Sequence, residues 1–232
     1  MALAPDDLDE VRPIGLARSV LADQVRERLL ERILSGRYPP DARIVETQVA
    51  RELGTSQAPV REALRGLEAL GVVEIAPFRG ARVRRPTDRE LLEAYAVRSA
   101  LETLAARLAV PRLTEDDVTR LDAAADAMQA AARRRDTHGV AEADARFHEA
   151  IVELAGNGTL LKLWRSLEPF LRTYLTLAVP GAHPQWAADL HTPVLAALRS
   201  RDAEGAVAAL EQHFTEVSDD MAGRLAERER TG

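Results

Sequence analysis

The chain contains no cysteine. Disulfide staples and thiolate zinc sites are therefore excluded, and any metal it holds must sit on nitrogen and oxygen. Long apolar runs are missing too. No stretch of the 232 residues approaches the roughly 18 apolar positions that span a bilayer, and the opening MALAPDDLDE is acidic, without the apolar core of a signal peptide. Together these absences predict a soluble cytoplasmic protein with no membrane partner. Basic charge is also in deficit, the formal net charge being -6. That argues against a surface coated in nucleic acid but leaves room for a local basic face. There is no internal repeat and no low-complexity tract, although alanine is abundant.

What is present suggests two domains, which the length permits without staples. Between Leu16 and Leu34, Leu21, Val25, Leu29 and Ile33 recur every four positions and predict an amphipathic helix that ends at Gly36. The turn PPDARI follows, then the short helix TQVAREL stopped by Gly54, then QAPVREALRGLEALG, which Ser56 can cap and Gly71 stops. Val73/Ile75 and Ala81/Val83 alternate on either side of PFRG and read as a β-hairpin. Helix, helix, turn, helix, hairpin is the order of a winged helix-turn-helix. At Arg85-Pro86-Thr87 the pattern breaks. Beyond it only helices are predicted, at about 88–109, 115–134, 138–154, 158–178, 184–200 and 202–228. The expected fold is mainly α: a flexible tail over 1–15, a winged helix-turn-helix over 16–86, and an all-helical bundle over 87–232.

A helix in the major groove presents its first turns to base edges. Here those turns carry Ser56, Gln57, Ala58, Arg61 and Arg65. Gln pairs with an adenine edge, Arg with guanine, and a small Ala touches a thymine methyl. Arg79 and Gly80 in the hairpin turn add to a segment that is locally positive within an acidic chain. The stretch RIVETQVARELGTSQAPVREALRGLEALGVVEIAPFRGARV, Arg43 to Val83, resembles the DNA-binding domain of the GntR family of bacterial transcription regulators, through its LG turn, its PVREAL run and the RGA of its wing. The resemblance implies binding to double-stranded operator DNA. Gln57 stands where many members carry Arg, so no operator sequence is carried over.

In EADARFHEAI, Asp144 lies four residues before His148 in a segment rich in alanine and large apolar side chains. Wound as a helix, 138–154 places Val140, Phe147, Ile151 and Leu154 on one side, and Asp144 and His148 fall with them. By the same test His191 and His213 point inward, whereas His138 and His183 lie in connections. Three inward imidazoles and an inward carboxylate suit a divalent cation, zinc first, with nickel, manganese or iron also matched to such donors. The plainer reading is an Asp144–His148 ion pair beside two unrelated core histidines.

From about Glu90 to Arg224 the chain resembles the helical effector-binding domain, called FCD, of the FadR-type branch of that family. Asp144 and His148 in DARFH, then His191 and His213, match the family's Asp/His/His/His metal site in order and approximate spacing. The resemblance implies a metal beside a cavity for a small carboxylate effector, lined by Arg98 and, more weakly, Asn157. The reading that results is a dimeric, ligand-responsive repressor. Its alternatives are a metalloenzyme with an accessory DNA-binding module and a regulator whose metal is purely structural.

Overall fold

The computed structural model describes residues 16–76, 79–177 and 184–231. The expected tail over 1–15 lies outside them, as do Pro77 and Phe78 of the wing turn and His183. In chain order the elements are α1 (Leu16–Leu34), β1 (Arg43–Ile44), α2 (Glu46–Glu52), α3 (Gln57–Ala69), β2 (Val73–Ala76), β3 (Gly80–Val83), α4 (Asp88–Ala109), a 3-10 turn (Val110–Arg112), α5 (Glu115–Arg133), α6 (Thr137–Leu154), α7 (Gly158–Leu177), α8 (Pro184–Asp189), α9 (Thr192–Arg199) and α10 (Ala203–Thr231). This is a winged helix-turn-helix followed by a helical domain. No helix among the described residues is long and apolar enough to cross a membrane.

The first apolar cluster joins Val25, Leu29 and Ile33 of α1 to Val49 of α2, Val60, Leu64 and Leu67 of α3, and Val73 and Val83 of the sheet. Leu21, expected on the same stripe, is 38% exposed. Four residues turn a helix by about 40° more than one revolution, so the stripe has rotated off the core by then. Gly54 and Gly71 end α2 and α3 at φ values of +64° and +70°. Each lets the next residue reach back five positions: Thr55 donates to the Ala50 carbonyl and Val72 to that of Leu67, both at 2.9 Å. These two stops set the turn of the helix-turn-helix and the entry to the wing.

The expected hairpin is present as β2 and β3, with Val73 opposite Val83, and one sequence expectation is extended and another corrected. A third, two-residue strand joins the hairpin in the order β1-β3-β2, with Ile44 opposite Ala81. A strand of two residues carries no alternation that a sequence can display. The helix expected over 184–200 is broken into α8 and α9. Pro193 is the cause: its ring would clash with the carbonyl four residues earlier, that of Asp189, where α8 stops.

The second cluster centres on Leu91, Tyr95, Leu121, Met128, Phe147, Ile151, Trp164, Val194, Leu198, Leu210 and Phe214. α4 packs along α10 and crosses α6, and α6 lies between α5 and α7. The link between the two clusters is tight. Thr87 caps α4 through a reciprocal box with Glu90, and Glu90 also pairs with Arg84 at the exit of β3. α1 additionally touches α7, beside an open cleft lined by Glu27, Arg28, Glu31, His138 and Glu142.

Candidate metal centre and nucleic-acid interface

α6 begins at Asp136, whose side chain accepts from the Gly139 N–H at 2.8 Å. From there it buries Val140, Phe147, His148 and Ile151 while Arg146 stays in solvent. Asp144, one turn before His148, keeps a side-chain exposure of 15%. His191 sits where the Pro193 break turns the chain between α8 and α9, and His213 lies on the inner face of α10. The break aims His191: its Nδ1–H donates to the Ala187 carbonyl at 2.9 Å. A carbonyl only accepts, so the proton is on Nδ1 and Nε2 presents a lone pair.

The four sequence-predicted ligands converge. One donor atom from each of Asp144, His148, His191 and His213 lies within 4.8 Å of all the others. Nε2 of His191 is 3.0 Å from Oδ1 of Asp144, and Nε2 of His148 is 3.6 Å from the same oxygen. The two Nε2 atoms are 3.0 Å apart, so two lone pairs would face each other without a proton or cation between them. Nδ1 of His213 is buried with no hydrogen-bond partner, an arrangement that buried polar atoms avoid unless something binds them. Ligands at about 2.0–2.2 Å from one ion lie up to about 4.4 Å apart, a span that contains the separations of 3.0 and 3.6 Å among Asp144, His148 and His191 and that the 4.8 Å bound on the whole set exceeds only slightly. The donor set, the spacing and the orphaned nitrogen thus fit a divalent cation.

A second layer surrounds these groups. Nδ1 of His148 contacts the fully buried Glu102, whose other oxygen accepts from Arg98 Nε at 2.6 Å and Trp164 Nε1 at 2.7 Å. Arg98 Nη2 also reaches Oδ2 of Asp144 at 3.5 Å. The sequence reading assigned Arg98 to a pocket but gave Glu102 no part in metal binding. The signal was available: Arg98 and Glu102 are four apart on a helix face whose other residues, Leu91, Ala94, Tyr95, Ala105 and Ala109, are apolar. Asn157 has another occupation. Its side-chain oxygen accepts from the N–H groups of Thr159 and Leu160 at 3.1 and 3.2 Å and so caps α7.

Burial opposes the charge on each acid here, but the partners outweigh it. Glu102 is lowered to about 2 by His148, Arg98 and the indole N–H. Asp144 is held well below the usual carboxylate range by both neighbouring imidazoles and Arg98. Burial pushes His213 well down, and the neighbouring imidazoles push it the same way, which favours the neutral ring. For His148 burial is outweighed by the two carboxylates, which raise it. The site therefore offers ionised oxygen and neutral nitrogen, with one imidazole whose proton a cation must displace.

At the other end of the molecule, α3 buries Val60, Ala63, Leu64 and Leu67 and turns Gln57, Arg61 and Arg65 outward. Ser56 occupies the N-cap position without making a side-chain cap bond and is exposed, while Ala58 is half-buried. Arg79 and Gly80 lie exposed at the start of β3. Glu68 on α3 accepts from the Ile75 N–H at 3.0 Å, which fixes the wing against the helix. Arg61 is engaged within the protein: Nε and Nη2 bond Glu46 Oε2 at 3.2 and 2.9 Å.

Residues 21–83 match the gntR family of bacterial regulatory proteins, and residues 93–216 match the FCD domain. A protein of Paenarthrobacter nicotinovorans named "Probable D-xylose utilization operon transcriptional repressor" is 38% identical over 85% of this chain and 87% of its own. The gluconate operon transcriptional repressor of Bacillus licheniformis is 26% identical over 90% of this chain and 87% of its own. Among solved structures, Escherichia coli McbR/YncC superposes with a TM-score of 0.74 at 27% identity, covering 88% of this chain and 98% of that one.

Proposed function

The chain belongs to the GntR family of bacterial regulatory proteins and carries an FCD domain, and from that premise we propose that it is a dimeric transcriptional repressor controlled by a small carboxylate bound beside a divalent metal. The family is one of transcription regulators, so the metalloenzyme alternative falls away.

The convergence of Asp144, His148, His191 and His213 carries the sensing half of this reading. Zinc suits three imidazoles and a carboxylate, and these residues would hold it. Bound there, a divalent cation supplies positive charge and open coordination positions to an anionic ligand. Arg98 supplies a second positive charge next to it. Its Nη1 has no acceptor among the described residues, which leaves a donor for a carboxylate. α4 carries Arg98 and starts immediately after the wing, where the Arg84–Glu90 pair ties the two together. A ligand that shifts α4 therefore reaches the reading head through one rigid helix, provided its affinity differs between the two positions.

Dimerisation is supported by an apolar seam on the outer face of α4. Val97, Leu104 and Leu108 are 50%, 43% and 38% exposed, Leu101 lies between them half-buried, and Leu163 of the neighbouring α7 is 53% exposed. The spacing 97, 101, 104, 108 is the four-three-four step of a helix-pairing seam. A second copy packed there would place two reading heads for a two-fold operator.

Three measurements test the proposal. Metal analysis of the purified chain should find one divalent ion per protomer, and chelation should abolish the effector's action on DNA binding. If chelation lowers only the melting temperature, the metal is structural. Sedimentation should show a dimer that Leu104→Glu dissociates, with weaker operator binding as the consequence. A wild-type monomer would remove the two-headed arrangement.

A further inference from the structure

We propose that Glu102 is the positioning residue of the metal centre: it selects Nε2 of His148 as the ligand atom and links that choice to Arg98. The inference rests on the metal reading above and deepens it.

The bonding pattern leaves little choice. Oε1 of Glu102 receives Arg98 Nε at 2.6 Å and Trp164 Nε1 at 2.7 Å. A guanidinium and an indole N–H can only donate, so that oxygen must accept from both. Oε2 faces Nδ1 of His148. An ionised carboxylate has no proton to give, hence Nδ1 keeps its hydrogen, and in the neutral ring that a cation requires the lone pair is at Nε2. That atom is the one facing Nε2 of His191 and Oδ1 of Asp144. Glu102 thus joins α4, α6 and α7 at one buried point. A carboxylate in that place is costly to bury unless its bonds serve a fixed arrangement.

The same pattern predicts an unusual effect of a near-isosteric change. In Glu102→Gln the carbonyl oxygen is drawn to Arg98 and Trp164, because both are donors. The amide NH2 is then turned toward His148 Nδ1, which must accept. The imidazole proton moves to Nε2, where the cation needs a lone pair. Gln at this position does not merely weaken the support of His148; it stabilises the wrong tautomer.

The experiment uses the full chain and zinc alone. Zinc affinity is measured by competition with a chromophoric chelator for wild type and Glu102→Gln, with circular dichroism as the check on folding. Long-range 1H–15N correlation spectra of histidine-labelled protein report which nitrogen of His148 carries hydrogen. The expected result is zinc binding about 10–100-fold weaker in Glu102→Gln, with the metal-free variant showing His148 protonated at Nε2, and zinc-loaded wild type showing Nδ1–H. A purely structural Glu102 would change the melting temperature but neither the tautomer nor the zinc affinity, and that outcome overturns the inference while leaving the metal reading in place. Wild type that takes up no zinc overturns both. Should Glu102→Gln fail to fold, the spectrum of zinc-loaded wild type decides alone: coordination through Nδ1 of His148 refutes the assignment.

Discussion

Each half of this molecule contains an arginine–glutamate pair at its proposed functional site, and the two pairs live in opposite surroundings. In the reading head Arg61 bonds Glu46 at 2.9 Å with side chains 52% and 33% exposed. In the helical domain Arg98 bonds Glu102 at 2.6 Å with side chains 6% and 0% exposed. Water competes for the first pair and salt screens it, so it contributes little and releases its arginine easily. The second pair has surrendered its hydration, and neither partner can be left alone without a large penalty. A residue that must greet a passing phosphate or base edge is better held weakly. One that must hold a ligand set open is better held from all sides.

The largest effect is expected at Arg98. In Arg98→Ala, Glu102 and Asp144 lose the cation that both face, and the buried charge left behind should lower the stability of the metal-free protein by about 3–5 kcal/mol. Urea unfolding followed by circular dichroism measures it. Loss of less than about 1 kcal/mol would place this pair in the same class as exposed ion pairs, and the contrast between the two halves would fail.

How much of this contrast the sequence displayed differs between the halves. The reading head was legible nearly throughout, because its helices are short, its stops are glycines in the turn positions that need them, and most of the side chains proposed to meet DNA follow each other within α3. The inward positions of Asp144, His148 and His213 were also legible, since each is fixed by the period of its own helix, whereas His191 reaches the same point from the turn between α8 and α9. The partners of those four were not. Glu102 meets His148 from 46 residues away, and Trp164 meets Glu102 from 62. No local period encodes such meetings. Leu21 and the 184–200 helix failed for local reasons instead: a stripe that precesses along α1, and a proline whose clash falls four residues upstream.

A smaller effect is expected at the exposed pair. Arg61→Ala removes a side chain proposed to meet a base edge, and binding to an operator selected by the wild-type chain from random DNA should weaken on the order of 10–100-fold. Fluorescence anisotropy at fixed salt is the measurement, since phosphate contacts make affinities meaningless across salt concentrations. Zinc affinity should not move, because α3 is remote from the ligand set. An unchanged operator affinity would take Arg61 out of the reading helix's function and leave its bond to Glu46 as its whole role.

The smallest effect is expected at Glu46. Glu46→Gln weakens the hold on Arg61 without touching the arginine. Because the pair is exposed, the melting temperature should shift by less than about 3 °C. Operator binding should tighten by about two- to five-fold, since Arg61 no longer leaves an ionic partner on reaching DNA. Glu46 is itself an anion beside the reading helix, so removing its charge could favour phosphate directly. The double variant separates the two causes. If Glu46 acts by restraining Arg61, its substitution gains nothing once Arg61 is alanine. A gain that persists in the Arg61→Ala background comes from relieved repulsion of the DNA backbone, and the exposed pair is then a bystander to recognition.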